Sequence, residues 1–301
     1  MRNPALNSSI FQKQIDETDG TEAGWAAPTG TATATATAAP AVPPMGLGTS
    51  PDGLRAPAHV VGKPMTLWGT FTATVVMFVF LLGAGVYGWN AVTQTTVQVP
   101  DPNSFGGTME KVSTHVPSWI FISLLVAFGL AMVTIFKPKL ARVTGLLYAV
   151  AEGIALGAIS HAFNLQYNGI VLQAVLATMA VFASVLFLYA TRIVRVTKRF
   201  TRVIIGAMMG ILVLYLGSAV ARLFGVNLDF YNQPTPLGIG ISLLIVGVAA
   251  FSLMIDFDFI ESAVAAEAPR YMEWYAAFGL MVGLVWLYLE ILRLLALLRG
   301  R

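Results

Sequence analysis

Seven long apolar runs lie between Leu67 and Leu298 and limit what this chain can fold into. Each run has 19 to 25 residues with few or no charges. At a helical rise of about 1.5 Å per residue, about 20 apolar residues cross a hydrocarbon core of about 30 Å. The predicted spans are 67–89, 118–136, 143–163, 169–190, 203–224, 237–255 and 274–298. We therefore predict an all-α, polytopic membrane protein.

The composition agrees with this prediction, and it also separates the N-terminal segment from the rest. Hydrophobic residues make up 56% of the chain and charged residues only 11%, whereas soluble proteins average about 25% charged residues. Residues 29–40 read TGTATATATAAP, which offers too little apolar surface to offset the entropy of ordering. We expect a disordered cytoplasmic tail at 1–66, a transmembrane domain at 67–298 and a short C-terminal end at 299–301.

Lysine and arginine are distributed unevenly between the two sides of the predicted spans. One side receives eleven of these residues and the other receives three. The eleven are Arg55, Lys63, Lys137, Lys139, Arg142, Arg192, Arg195, Lys198, Arg199, Arg202 and Arg270, and the three are Lys111, Arg299 and Arg301. Because cationic loops stay in the cytoplasm, this pattern places the N-terminus there. Seven crossings put the C-terminus outside, although Arg299 and Arg301 would also suit a seventh segment that turns back.

Three carboxylates interrupt or end the apolar runs, and they are the main candidates for function. They are Glu152 in the third span, Asp256 directly after the sixth and Glu290 in the seventh. An ionised carboxylate in hydrocarbon is costly unless it is paired, hydrated or protonated. Glu152 lies nine residues into its span, near the expected bilayer centre. It is either a neutral group that hydrogen-bonds across a helix pair or a proton or cation site.

Helical spacing indicates how the acids near the sixth and seventh spans are oriented. Asp256 and Asp258 point about 160° apart on a helix, so only one can face the interior. Asp258 shares a face with Glu261, which we predict to be solvated, and Asp256 is then the inward candidate unless it is a plain acid at the water boundary. Glu290 has Arg293 one turn later, so these two charges can neutralise each other. Asp258 and Arg293 are secondary site candidates.

Three segments resemble a known family. FSLMIDFDFIE at 251–261 and WLYLEILRLLALL at 286–298 resemble the last two spans of the Bax inhibitor-1 family, also called the transmembrane Bax inhibitor motif family. In that family the sixth span ends in an aspartate and the seventh carries LYLD. The third span, ARVTGLLYAVAEGIALGAIS at 141–160, looks like the family's third helix. The similarity covers about residues 65–298 and is closest to the bacterial YccA-like branch.

The resemblance implies a seven-helix bundle with a central C-terminal helix in a bacterial plasma (inner) membrane. It also implies a pair of carboxylates that sense pH and control a calcium leak. By motif matching these would be Asp256 and Glu290. The chain departs from the family in having Glu at the second position, and the 34 residues between the two acids exceed the family's usual interval.

A physical mechanism follows if these acids lie close together. Two carboxylates that share a poorly solvated site cannot both ionise cheaply, so a shared proton would hold neighbouring helices together. Loss of the proton would leave a path that attracts cations. We expect Asp256 at the cytoplasmic mouth, Glu152 and Glu290 deeper, and calcium or protons as the permeant ions.

Other functions remain open at this point. The first alternative is a non-conducting regulator that binds other membrane proteins, such as a membrane protease. The second is a proton-coupled solute carrier.

Ser160 and His161 adjoin each other, but neighbours on a helix diverge by about 100° and cannot act as nucleophile and base. With no cysteine and three scattered histidines, we predict no enzymatic activity, cofactor or metal site, and no nucleic-acid binding.

Overall fold

The computed structural model describes residues 63–100, 108–115, 117–226 and 229–300, so most of the predicted tail lies outside the described residues. Within these ranges seven helices are long and apolar enough to cross a membrane. They are α1 (Leu67–Ala91), α2 (Trp119–Phe136), α3 (Ala141–Gln166), α4 (Ile170–Ala190), α5 (Lys198–Leu223), α6 (Pro236–Ala265) and α7 (Met272–Arg299). The predicted all-α fold with seven spans is confirmed.

Three helices begin at a threonine that acts as an N-cap. The side chains of Thr66, Thr197 and Thr235 accept hydrogen bonds from the backbone N–H three residues later, at 2.9, 3.2 and 3.1 Å. Each bond satisfies one of the N–H groups that the first helical turn leaves without a partner. Pro236 follows Thr235 at the first helical position of α6, where a missing N–H costs nothing. Local sequence therefore sets the starts of α1, α5 and α6.

The last helix lies at the centre of the bundle. α7 packs against α1, α3, α4 and α6. In its most apolar stretch 61% of the residues are buried, against 17% in α2 and in α5. Leu253 and Met254 of α6 and Leu287 and Leu292 of α7 have no exposed side-chain surface. The predicted central C-terminal helix is confirmed.

The two ends of the bundle are named here by α1: the near end is where α1 begins, and the far end is where it finishes. α7 runs without interruption from the near end to the far end. There Arg299 donates hydrogen bonds to the Asn168 carbonyl and to Gln173 Oε1, both at 2.8 Å. The alternative of a seventh segment that turns back is therefore wrong.

Glycines bring α1 and α3 into backbone contact. A β-carbon at Gly88 would meet the carbonyl of Ile154, and one at Gly157 would meet the carbonyl of Gly85. Nothing larger than hydrogen fits at either position, so the helices approach more closely than larger side chains would allow.

Two elements differ from the sequence prediction. α5 begins at Lys198, before the predicted start, and α6 continues to Ala265, well past the predicted end at residue 255. The charged residues in these segments mark the edge of hydrocarbon, but a helix can continue into the interfacial region. The loop after α1 also contains an antiparallel hairpin of β1 (Thr93–Pro100) and β2 (Thr108–His115). Its first strand is rich in threonine and valine, which favour strands.

Candidate functional site

Asp256 lies inside the bundle, between α6 and α7. Because α6 continues to Ala265, the carboxyl group is about 14 Å from the near end of its helix. A β-carbon at Gly283 would lie 3.0 Å from Asp256 Oδ2, and one at Gly279 would lie 3.7 Å from Oδ1. The two glycines of α7 thus leave space for the half-buried carboxyl group. Asp256 forms no hydrogen bond or ion pair with any residue in the described ranges.

Glu152 is a second interior carboxyl group without a partner. It is half-buried on α3, about 17 Å from the near end of that helix, one turn after Tyr148. Tyr148 packs edge-on against Phe278 of α7, with 5.1 Å between the ring centroids. Glu152 makes no hydrogen bond or ion pair among the described residues. It is therefore at a depth similar to that of Asp256, on a different helix that also packs against α7.

Glu290 is buried and bound to several partners. Tyr215 of α5 donates to Glu290 Oε1 at 2.6 Å, and Trp286 donates to the same oxygen at 3.2 Å. Arg293 Nη2 lies 2.8 Å from Glu290 Oε2, which forms an ion pair. Arg293 Nη1 also donates to the Tyr215 hydroxyl at 2.6 Å. The sequence prediction that Glu290 and Arg293 neutralise each other agrees with this geometry.

Aromatic rings complete this group, which we call the Glu290 cluster (Tyr215, Tyr231, Trp286, Glu290 and Arg293). The Arg293 guanidinium lies 5.5 Å from the ring centroid of Tyr215 and 5.7 Å from that of Tyr231. Contacts of this kind attract a cation to the ring face. The cluster therefore ties α5 and the turn before α6 to the central helix α7.

Asp256 and Glu290 occupy different levels of the bundle. Gly283, which faces Asp256, lies seven residues before Glu290, or about 10 Å along α7. The cluster partners of Glu290 come from α5, α7 and the turn before α6, and Asp256 is not among them. The two motif acids do not form a shared carboxyl pair in the described residues.

Asp258 and Glu261 share the face of α6 that approaches the end of α4. Glu261 accepts hydrogen bonds from Tyr189 and Arg192. Arg192 adopts a left-handed backbone conformation, with φ of 57°. The hydrogen bond to Glu261 raises the pKa of the Arg192 guanidinium. Asp258 is half-buried beside them, so this face is only partly the solvated surface that we predicted.

The family model described as Bax inhibitor 1 like matches residues 3–300. This chain belongs to the Bax inhibitor 1 like family. The match extends beyond the motifs at 141–160, 251–261 and 286–298 to nearly the whole chain. Searches of curated proteins and of solved structures found no match.

The family and the seven apolar helices together make this a multi-pass membrane protein. This member of the Bax inhibitor 1 like family has an acid at both motif positions, and one of these acids, Glu290, forms an ion pair with Arg293. Arg293 balances the charge of Glu290, whereas Asp256 and Glu152 have no such partner in the described part of the chain. These two interior acids are therefore the candidates to bind a cation or a proton.

Sequence reasoning missed one buried acid. Glu273 in the first turn of α7 accepts hydrogen bonds from the backbone N–H of Thr66 at 3.0 Å and from its hydroxyl at 2.9 Å. Arg270 Nε lies 3.6 Å from the other carboxylate oxygen. Acids are favoured in the first turn of a helix, and that signal could have identified it. Glu273 fastens the start of α1 to the start of α7.

Ser160 and His161 point to different helices, as their spacing predicted. The hydroxyls of Ser160 and Tyr288 are 2.8 Å apart, and His161 Nδ1 lies 2.6 Å from the carbonyl oxygen of Trp89. Among the residues that the structure describes, no three His, Asp or Glu side chains are grouped so that they could hold a metal ion.

Proposed function

We propose that this protein is a cation leak, with calcium as its candidate permeant ion and Asp256 as its pH-sensitive gate. The proposal is based mainly on one observation: Asp256 faces the glycines of α7 without an ion pair or hydrogen bond in the described residues. A half-buried carboxylate of this kind attracts a cation when it is ionised and loses that attraction when it is protonated. Calcium prefers oxygen ligands, which a carboxylate supplies.

In this mechanism Asp256 and Glu152 act at similar depth, on two different helices that pack against α7. When Asp256 is ionised, the space between α6 and α7 is favourable for a cation. When it takes up a proton, the neutral acid can donate a hydrogen bond to a backbone carbonyl of α7 and hold the two helices together. Cation flux should thus rise with pH. The Glu290 cluster keeps α5 in place and carries no net charge of its own.

The proposal extends to location and chemistry. We place the protein in a bacterial plasma membrane, as the family resemblance implies. We place its N-terminus in the cytoplasm, because the predicted topology puts eleven lysines and arginines on that side and three on the other. We assign it no enzymatic activity and no cofactor.

Calcium entry into liposomes tests this function directly. Vesicles that contain the full chain should take up calcium faster than protein-free vesicles at mildly alkaline pH. Asp256→Asn should reduce uptake toward the protein-free rate, because it removes the charge that attracts the ion. Glu267→Gln is the matched control, since it removes an exposed acid in the loop between α6 and α7. Uptake at the protein-free rate in all variants would overturn the proposal.

A second candidate function is a non-conducting regulator that binds another membrane protein, such as a membrane protease. The observation that favours it is the glycine face of α5, where Gly206, Gly210 and Gly217 have open space beside them. Small residues at this spacing allow another helix to approach closely. If this function is correct, Gly210→Leu should abolish partner binding while calcium uptake stays at background in every variant.

A further inference from the structure

A polar cleft lies at the near end of the bundle, where α4 and α6 reach the membrane surface. Its volume is about 420 Å³, and it is lined by Tyr189, Arg192, Val194, Arg195, Val196 and Asp258. We call it the near-end cleft. It is separate from the Asp256 site, because Asp256 and Asp258 point about 160° apart on α6.

Two of the charges at the near-end cleft are already satisfied. Glu261 accepts hydrogen bonds from both Tyr189 and Arg192. The Arg192 guanidinium also lies 5.7 Å from the ring centroid of Tyr189. Arg192 is therefore fixed in the wall of the cleft.

The other two charges have no such partners. Asp258 is half-buried and Arg195 is exposed, and neither forms a hydrogen bond or ion pair with a residue in the described ranges. Asp258 is close enough to Arg192 and Tyr189 to interact with them electrostatically, without a direct contact. The cleft thus presents one available carboxylate and one available guanidinium, and Val194 and Val196 also line it.

This arrangement suits a ligand with one charge of each sign. A guanidinium binds the oxygens of a phosphate with two parallel hydrogen bonds. A carboxylate accepts hydrogen bonds from a primary ammonium group but not from a trimethylammonium group, which has no N–H. The cleft also lies at the depth of lipid headgroups, because α4 ends at Ala190, next to its lining residues. Phosphate and primary ammonium occur together in a phosphoethanolamine group.

We propose that the near-end cleft binds a phosphoethanolamine group, with Arg195 on the phosphate and Asp258 on the ammonium. The group could come from the headgroup of a membrane lipid or from a soluble phosphoethanolamine ester. The site does not depend on ion conduction.

Lipid binding to the full chain tests this proposal, with native mass spectrometry as the measurement. The purified protein is titrated with phosphatidylethanolamine, phosphatidylcholine and phosphatidylglycerol of identical acyl chains. We expect phosphatidylethanolamine to bind about tenfold more tightly than phosphatidylcholine, which is the scale of one hydrogen bond to a charged group. Equal binding of these two lipids by the unmodified protein would overturn the proposal without any variant.

Variants then assign the residues. Asp258→Asn should abolish the preference for phosphatidylethanolamine and leave phosphatidylglycerol binding unchanged, whereas Arg195→Gln should weaken binding of all three lipids. Arg199→Gln is the control, because it removes an exposed cation outside the cleft. A preference that persists in Asp258→Asn would contradict the assignment.

Competition with glycerophosphoethanolamine separates the two sources of the group. If this soluble ester displaces the lipid at a comparable concentration, the cleft recognises the polar group alone. If it does not, the ligand is a membrane lipid whose chains contribute to binding.

Discussion

At the scale of single residues, the acids on α6 and α7 differ in the side chains that contact them. Glu290 is bound by a tyrosine, a tryptophan and an arginine. Asp256 faces two glycines, which offer it space and no side chain. An interior carboxylate without a cation partner is a candidate for binding an ion or a proton. In the proposed function, Glu290 therefore holds the bundle together and Asp256 attracts the ion.

The Glu290–Arg293 pair should behave as a coupled unit in stability measurements. Arg293→Met leaves the Glu290 carboxylate buried without its cation, so we expect the free energy of unfolding to fall by about 3–5 kcal/mol. Adding Glu290→Gln to this variant removes the uncompensated charge and should recover most of the loss. Denaturant unfolding in detergent, followed by tryptophan fluorescence, measures both values.

Arg202→Met is the control for this experiment, because Arg202 is an exposed arginine at the start of α5. It should leave stability almost unchanged. If the losses from Glu290→Gln and Arg293→Met simply add in the double variant, the two side chains do not interact as described.

Part of this site could be predicted from the sequence. The pairing of Glu290 with Arg293 follows from their spacing on one helix, because residues three apart share a face. The contact with Tyr215 could not be predicted, since it depends on how α5 is rotated against α7. The membrane-spanning part of α5 has apolar residues on every face. No polar face therefore indicates how the helix is rotated.

At the scale of helices, glycines allow the backbones of α1 and α3 to come into direct contact. Gly85, Gly88, Gly153 and Gly157 place the two backbones against each other. Because a lipid environment gives little hydrophobic drive for helix association, such close packing is a main source of stability.

A methyl group at this contact should destabilise the protein. In Gly157→Ala the added carbon would collide with the carbonyl of Gly85, and overpacking of this kind costs about 1–3 kcal/mol. Gly83→Ala is the matched control, because a β-carbon there has no neighbour within 4 Å. Thermal unfolding in detergent should show a lower midpoint for Gly157→Ala only. Equal midpoints would contradict the close contact.

The number of helices could be predicted from the sequence, but two of their ends could not. The length of an apolar run reports the thickness of hydrocarbon, whereas a helix ends where its hydrogen bonds end. Lys198 begins α5 and Ala265 ends α6 in charged segments, which the apolar pattern excludes. The distance of Asp256 from the end of its helix depends on that longer α6.

At the scale of the whole molecule, the interior charges beyond the first turn of α7 form two layers along that helix. The layer toward the near end holds Asp256 and Glu152, at about 14 and 17 Å from the ends of their helices. The layer toward the far end holds the Glu290 cluster, in which acid and base balance. A cation that enters from the near end would thus meet unpaired carboxylates before it meets a neutral, tightly bonded group. Opening of a path through the far layer would require α5 to move away from α7.

The most direct measurement of the central claim is the pH dependence of calcium uptake by liposomes that contain the full chain or Asp256→Asn. We predict that uptake by the unmodified protein rises from mildly acidic to mildly alkaline pH, because ionisation of Asp256 creates the attraction for the cation. Uptake by Asp256→Asn should be low and independent of pH. The same pH dependence in both proteins would contradict the role of Asp256 as the gate.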